Sequence, residues 1–171
     1  MKEMARYAAV LGTICLVASA SLAVVNSLTR DKIIAQAQAE EEASLKEVMP
    51  AADHFEAVKK DTETLYYRAL DKDGSLIGIC FKAEAKGYSS TVQTVAGMFK
   101  DGTINAIKVV SQNETPGLGT KVTEPSFTDQ FKGKKGLEEV QAITGATISS
   151  RAVIDSVAKK AEELKGILNA P

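Results

Sequence analysis

An unbroken apolar run opens the chain. From Tyr7 to Leu28 no residue carries a charge. In a helix rising ~1.5 Å per residue these positions reach about 33 Å, enough for a hydrocarbon core of about 30 Å. Lys2 and Arg6 precede the run and favour an N-terminus in the cytoplasm, although Arg30 and Lys32 follow it and weaken the bias. Ala18-Ser19-Ala20 has the form of a signal-peptidase site, yet the apolar stretch continues beyond it to Leu28 without a polar break. The pattern therefore predicts a retained span: residues 1–6 cytoplasmic, 7–28 transmembrane, the remainder outside.

Beyond the span the periodicity changes. Asp31 to Met49 carries Ile33, Ile34, Ala37, Leu45 and Val48 at loosely helical spacing, and Pro50 follows. This predicts a connecting helix within 29–50, with Glu40-Glu41-Glu42 on a solvated face. From residue 51 onward the pattern is that of a separate extracytoplasmic domain, 51–171. Leu65 to Leu70 and Leu76 to Lys82 flank Asp71-Lys72-Asp73-Gly74, the mark of a hairpin. A second hairpin is predicted from Gln93 to Phe99 and Thr103 to Val110, joined by Lys100-Asp101-Gly102. A polar loop with Phe127 and Phe131 comes next. Val153, Ile154, Val157, Ala161, Leu164 and Ile167 then make one stripe of a final helix from Ser149 to Leu168. Strands in hairpins with helices at the ends are an α+β pattern.

Composition narrows the chemistry. The 171 residues hold 21 Lys and Arg against 22 Asp and Glu, a net charge of −1, which argues against a nucleic-acid protein. Cys15 and Cys80 lie far apart in unlike contexts, and no C-x-x-C spacing exists for a metal or a disulfide framework. The single His, His54, has no Ser or Cys partner near it in sequence for acid–base or nucleophilic work. No catalytic constellation is expected.

The informative string is Ile143-Thr144-Gly145-Ala146-Thr147-Ile148-Ser149-Ser150, which opens the last helix. A helix N-terminus presents free N–H groups and roughly half a positive charge, a setting that favours phosphate. Gly145 and Ala146 leave room for a bulky group at the Thr147 oxygen, and Ser149 adds a hydroxyl. Thr and Ser at such a place also serve as ordinary caps with no ligand, so local physics leaves both readings open.

Thr144-Gly145-Ala146-Thr147 resembles the [S/T]-G-A-T flavinylation motif of the FMN-binding domain family. Asn113-Glu114-Thr115-Pro116-Gly117-Leu118-Gly119-Thr120 is similar to the E-T-P-G-L-G stretch in the G subunits of Rnf ion-translocating electron-transport complexes. Lys86-Gly87-Tyr88 is like a K-G-Y of the same family, although Ser89-Ser90 stands where relatives often carry Gly and Pro. The resemblance spans essentially the whole chain. It implies a single transmembrane helix followed by an FMN-binding domain, with FMN joined through its phosphate to Thr147 by a flavin transferase. Thr144, Gly145, Ala146 and Ser149 would surround the attachment point. Glu114 and Thr115 would hydrogen-bond the flavin, Gly117 and Gly119 would admit its edge, and Leu118 would pack on its face. It further implies a membrane protein relaying electrons between ferredoxin and NAD while ions cross a bacterial cell membrane. The partners implied are the flavin-bearing D subunit and the iron–sulfur-bearing A and E membrane subunits. Two alternatives stand beside it: the related C subunit of the sodium-pumping NADH:quinone reductase, and a non-redox anchored binding module.

Overall fold

A computed structural model describes residues 2–60 and 63–168, in two compact units divided between Glu41 and Glu42. The first unit is helical throughout its described residues. Helix α1, Lys2–Val48, is a single helix whose last turns, from Glu42, belong to the second unit. The sequence pattern suggests a separate connecting helix after residue 28, and a domain beginning at 51. Neither break occurs there. Between Gly12 and Pro50 the chain has no Gly or Pro, so nothing in its backbone chemistry ends the helix. The side chains from Tyr7 to Leu28 are all exposed, and the helix is long and apolar enough to cross a membrane. Thr13 and Thr29 donate to the Ala9 and Val25 carbonyls at 2.9 and 2.8 Å, so their hydroxyls are satisfied within the helix.

The second unit is built on a five-stranded antiparallel meander in the order β1-β2-β3-β4-β5. The strands are β1 His54–Lys60, β2 Glu63–Leu70, β3 Leu76–Lys86, β4 Thr91–Phe99 and β5 Ile104–Ser111. Both predicted turns are present. Asp71 accepts from the N–H groups of Asp73 and Ser75 at 2.9 and 2.8 Å, and Gly74 takes a φ of 77°. Strand β1 has no counterpart in the sequence pattern. Its side chains are mostly exposed, so it shows no alternation; it is an edge strand ending in Lys59 and Lys60, and such charges discourage further pairing. Strands β3 and β4 are longer than the pattern suggests and close on a tight loop, Gly87 to Ser90.

Each face of the sheet is covered by a different helix. Helix α3, Thr147–Leu168, lays Val153, Ile154, Val157, Ala161 and Leu164 against Ile79, Phe81 and Met98. The side chain of Ile167, placed on the same stripe from the sequence, lies outside the described residues. On the opposite face Leu45, Val48, Met49 and Ala52 cover Ala69, Cys80 and Val95. Burial pushes the Cys80 thiol up to about 12 and leaves it inert. The approach of α1 is close: a Cβ at Gly97 would stand 2.5 Å from the Val48 carbonyl oxygen. Asn105 donates its side-chain amide to that oxygen at 2.7 Å. Met98 pairs with Ile104 and Gly97 with Ala106, so Asn105 is the extra residue of a bulge that turns its side chain toward the helix end.

The stretch expected as a polar loop is instead a chain of helical turns. A 3-10 turn Gly119–Thr123, the short helix α2 Pro125–Thr128 and a second 3-10 turn Asp129–Phe131 follow one another. Phe127 and Phe131 are the reason: both are fully buried and meet edge to face at 5.4 Å between ring centres.

Candidate functional site

The start of α3 sorts its four hydroxyls into two pairs. The Ala146 carbonyl accepts the first helical hydrogen bond, from the Ser150 N–H at 3.0 Å, which makes Ala146 the capping position and Thr147 the first helical residue. Gly145 reaches this geometry with a φ of 83°. The Ser150 hydroxyl accepts from the Ile143 N–H at 3.1 Å and donates to the Ala146 carbonyl at 2.8 Å. The Ser149 hydroxyl donates to Glu114 at 2.6 Å. Both serines are buried and occupied. Thr144 and Thr147 are exposed, and among the described residues their hydroxyls have no partner. Thr147 therefore does no capping. The N–H groups of Thr147, Ile148 and Ser149 likewise have no acceptor among the described residues, as the first turn of any helix requires.

Glu114 is the knot of the site. Its carboxylate is buried and accepts from the N–H groups of Tyr88, Ser89 and Ser90 at 3.2, 3.1 and 2.9 Å. The hydroxyls of Ser90, at 3.2 Å, and Ser149 complete the set. Burial pushes its pKa up, but the bonds from Ser149, Ser90 and Ser89 together outweigh burial and hold the carboxyl below its ordinary value. One side chain thus ties the β3–β4 loop, the segment after β5 and the first turn of α3. The expectation that Glu114 hydrogen-bonds a ligand meets a carboxylate whose bonds go to the protein itself. Gly119 belongs to the same knot: a Cβ there would stand 2.7 Å from Glu114 Cβ and 2.9 Å from Ser149 Oγ. Gly117 is needed for its φ of 73°, and its N–H donates to Thr120 Oγ1 at 3.0 Å.

These three segments enclose an open cavity of about 520 Å³, within the usual range of ligand sites. Gly145 and Ala146, just before α3, line it with Thr147 and Ser149 of its first turn, and Glu114, Thr115, Leu118 and Gly119 line it from the segment after β5. Thr144 and Gly117 stand outside the lining. Tyr88 and Ile148 line it and were missed as site residues. Ile148 carried a usable signal, since it is an apolar residue off the buried stripe of α3. Tyr88, Leu118 and Ile148 are 69, 48 and 57 % exposed. Outside α1 only Val110 joins them as a large exposed apolar side chain among the described residues, so the cavity mouth concentrates the apolar surface of this unit.

Residues 87–162 match the family model of the FMN-binding domain, and residues 1–48 match that of the RnfG N-terminal region. The G subunit of the ion-translocating oxidoreductase complex of Methanosarcina acetivorans is 34 % identical, over 91 % of this chain and 92 % of that protein. The chain belongs to the family of G subunits of ion-translocating oxidoreductase complexes. The G subunit of the Na(+)-translocating ferredoxin:NAD(+) oxidoreductase complex of Acetobacterium woodii is 33 % identical, over 86 % of this chain and 85 % of that protein. The crystal structure of the C subunit of the Na(+)-translocating NADH-quinone reductase from Parabacteroides distasonis shares the fold. Its TM-score is 0.51 at 23 % identity, over 62 % of this chain and 63 % of the other.

An FMN-binding domain of this family fits the cavity seen here. The cavity has an apolar mouth for a flat ring, and beside it the free hydroxyl of Thr147 and the open N–H groups of α3.

Proposed function

We propose that this G subunit carries FMN joined through its phosphate to Thr147 Oγ and relays electrons on the extracytoplasmic side of a bacterial cell membrane. The observation that carries the reading is the free hydroxyl of Thr147 at the cavity, while Ser149 and Ser150 of the same string are spent inside the protein. When bound, FMN supplies reversible one- and two-electron chemistry; the chain supplies its position and surroundings. Leu118, Ile148 and Tyr88 offer apolar surface to the ring. Thr115 keeps an exposed hydroxyl beside it. Glu114 supports the walls from behind. A covalent tether suits a site outside the cytoplasm, where a dissociating cofactor would be diluted away.

Helix α1 anchors the domain with residues 1–6 in the cytoplasm and 7–28 in the bilayer. The whole complex would transfer electrons between ferredoxin and NAD, with ions crossing in other subunits. The D subunit and the iron–sulfur-bearing A and E subunits would be its redox neighbours, and a flavin transferase would load it.

The test is an intact mass. Protein made in a host with its flavin transferase should carry one FMN residue, and Thr147→Ala should carry none. Unmodified wild-type protein, or flavin persisting on the variant, rejects the assignment to Thr147.

A further inference from the structure

A site that receives a phosphate ordinarily shows it a positive charge. This cavity offers only the open N–H groups at the start of α3 and no cationic side chain. Among its lining residues Glu114 and the Tyr88 phenol are the ionisable groups, and no Lys, Arg or His takes part. Lys86, Lys121 and Arg151 are the cations closest to the lining residues in sequence, and none of the three lines the cavity. Glu114 lies against the first turn of α3 through its 2.6 Å bond from Ser149. That is the end of the helix whose partial positive charge would otherwise draw an anion. Every partner of the carboxylate is a neutral N–H or hydroxyl, so no cation cancels it. Those bonds also hold its pKa below the ordinary value despite burial, which keeps it charged at neutral pH.

We propose that Glu114 makes the cavity select against unattached anions, so that it receives the flavin ring but gains nothing from a free phosphate. Retention of the cofactor then depends on the bond at Thr147. This rests on the flavin reading above. A free phosphate monoester carries about −1.5 to −2 charges near pH 7. Bonded to Thr147 as a diester it keeps a single acidic oxygen, so the attached form meets less repulsion from Glu114 than the free one does. Glu114→Gln removes the charge and keeps most of the scaffold, at the cost of the bond from the Tyr88 N–H at 3.2 Å. The amide oxygen can still accept from the 89–90 N–H groups, and the amide nitrogen can donate to Ser149 Oγ in place of the present bond.

The experiment uses the full-length chain in detergent, made in a host without a flavin transferase, and titrated with riboflavin and with FMN by fluorescence quenching. Wild-type protein should bind riboflavin at least as tightly as FMN. Glu114→Gln should shift the preference toward FMN by about tenfold, the size expected for one charge removed at partly screened range. Ser90→Ala, which loosens the knot but keeps the charge, should show the wild-type preference. Wild-type protein that favours FMN about tenfold or more, or that binds no riboflavin, overturns the proposal without recourse to any variant. So does an unchanged preference in a folded Glu114→Gln, or a Ser90→Ala that matches it. Loading the same wild-type preparation with the transferase and a flavin dinucleotide, whose phosphoanhydride bond breaks to release the nucleoside monophosphate as the Thr147 ester forms, and weighing it reads the flavin assignment separately. Failure there removes the flavin reading, whereas a wrong preference with normal loading removes only the role of Glu114.

Discussion

At Gly119 a side chain has nowhere to go, because a Cβ would overlap Glu114 and Ser149, whereas at Gly117 nothing lies within 4 Å of one. The two glycines of one short motif are thus required for different reasons. Gly119→Ala should cost about 1–3 kcal/mol through overpacking. Gly117→Ala should cost about 1 kcal/mol through its left-handed backbone alone, and Gly117→Asn, which tolerates that region, should recover most of it. Urea titration of the four proteins decides the matter; equal losses at both glycines, with no recovery by Asn, would show the distinction to be wrong. The contrast also marks what the motif strings could convey. They located the residues that meet at the cavity, since Glu114, Leu118 and Thr147 all line it. They could not say which way each side chain turns. Glu114 turns into the protein because three N–H groups of another loop wait for it there, a long-range fact that no local spacing records. Tyr88 belongs to a motif yet escapes notice as a site residue, because its place at the cavity depends on the same bonds.

The turn between β4 and β5 shows how one exposed side chain can hold an element. The Thr103 N–H and hydroxyl bond to Asp101 at 3.0 and 2.8 Å, and Lys135 pairs with it at 3.0 Å. The Thr103 bonds, with Lys135 after them, lower the carboxyl pKa to about 2. A carboxylate whose folded pKa is depressed contributes stability above its unfolded value near 4 and loses it as pH falls toward the folded one. Asp101→Asn should therefore be less stable than wild type at neutral pH, and the gap should close between about pH 4 and pH 2. Urea midpoints across that window provide the check, and a gap that stays constant with pH would exclude the titration. The Glu114 carboxyl titrates downward in both proteins and cancels in the comparison. Turns of this kind are what made the hairpins legible, since Asp and Gly at fixed offsets have local causes. Strand β1 has no such cause. Phe55 and Val58 are only half-buried, the register slips between Val58 and Lys59, and the strand exists because β2 offers it an edge. The helical turns from Gly119 to Phe131 were hidden for a related reason: their buried apolar side chains are Val122 and two phenylalanines, whose burial depends on the sheet and α3.

On the scale of the whole molecule, the question is where the first, helical unit stops and the second unit begins. Pro50 draws the sequence-based boundary to 50/51, but the compact unit begins at Glu42. The last turns of α1, with Met49 just beyond them, are an integral lid on one sheet face: Leu45, Val48 and Met49 are buried over Ala69, Cys80 and Val95. Burying three such side chains contributes roughly 5–9 kcal/mol, which is comparable with the whole stability of an ordinary domain, about 5–15 kcal/mol. Removing them would also leave the Asn105 amide without the Val48 carbonyl and strip the pair between Lys108 and Glu47. A fragment beginning at Glu42 should therefore be soluble, unfold cooperatively and keep the Glu114 knot, because every residue of that knot lies beyond the cut. One beginning at Ala51 retains the same cavity residues yet should aggregate or lose cooperative unfolding, since it loses Leu45, Val48 and Met49, three of the four side chains that cover the apolar sheet face. Calorimetry of the two fragments distinguishes the boundaries. A cooperative, monomeric 51–171 fragment as stable as the longer one would mean that the end of α1 merely rests on the sheet, and that the helix and the flavin domain divide at the proline after all.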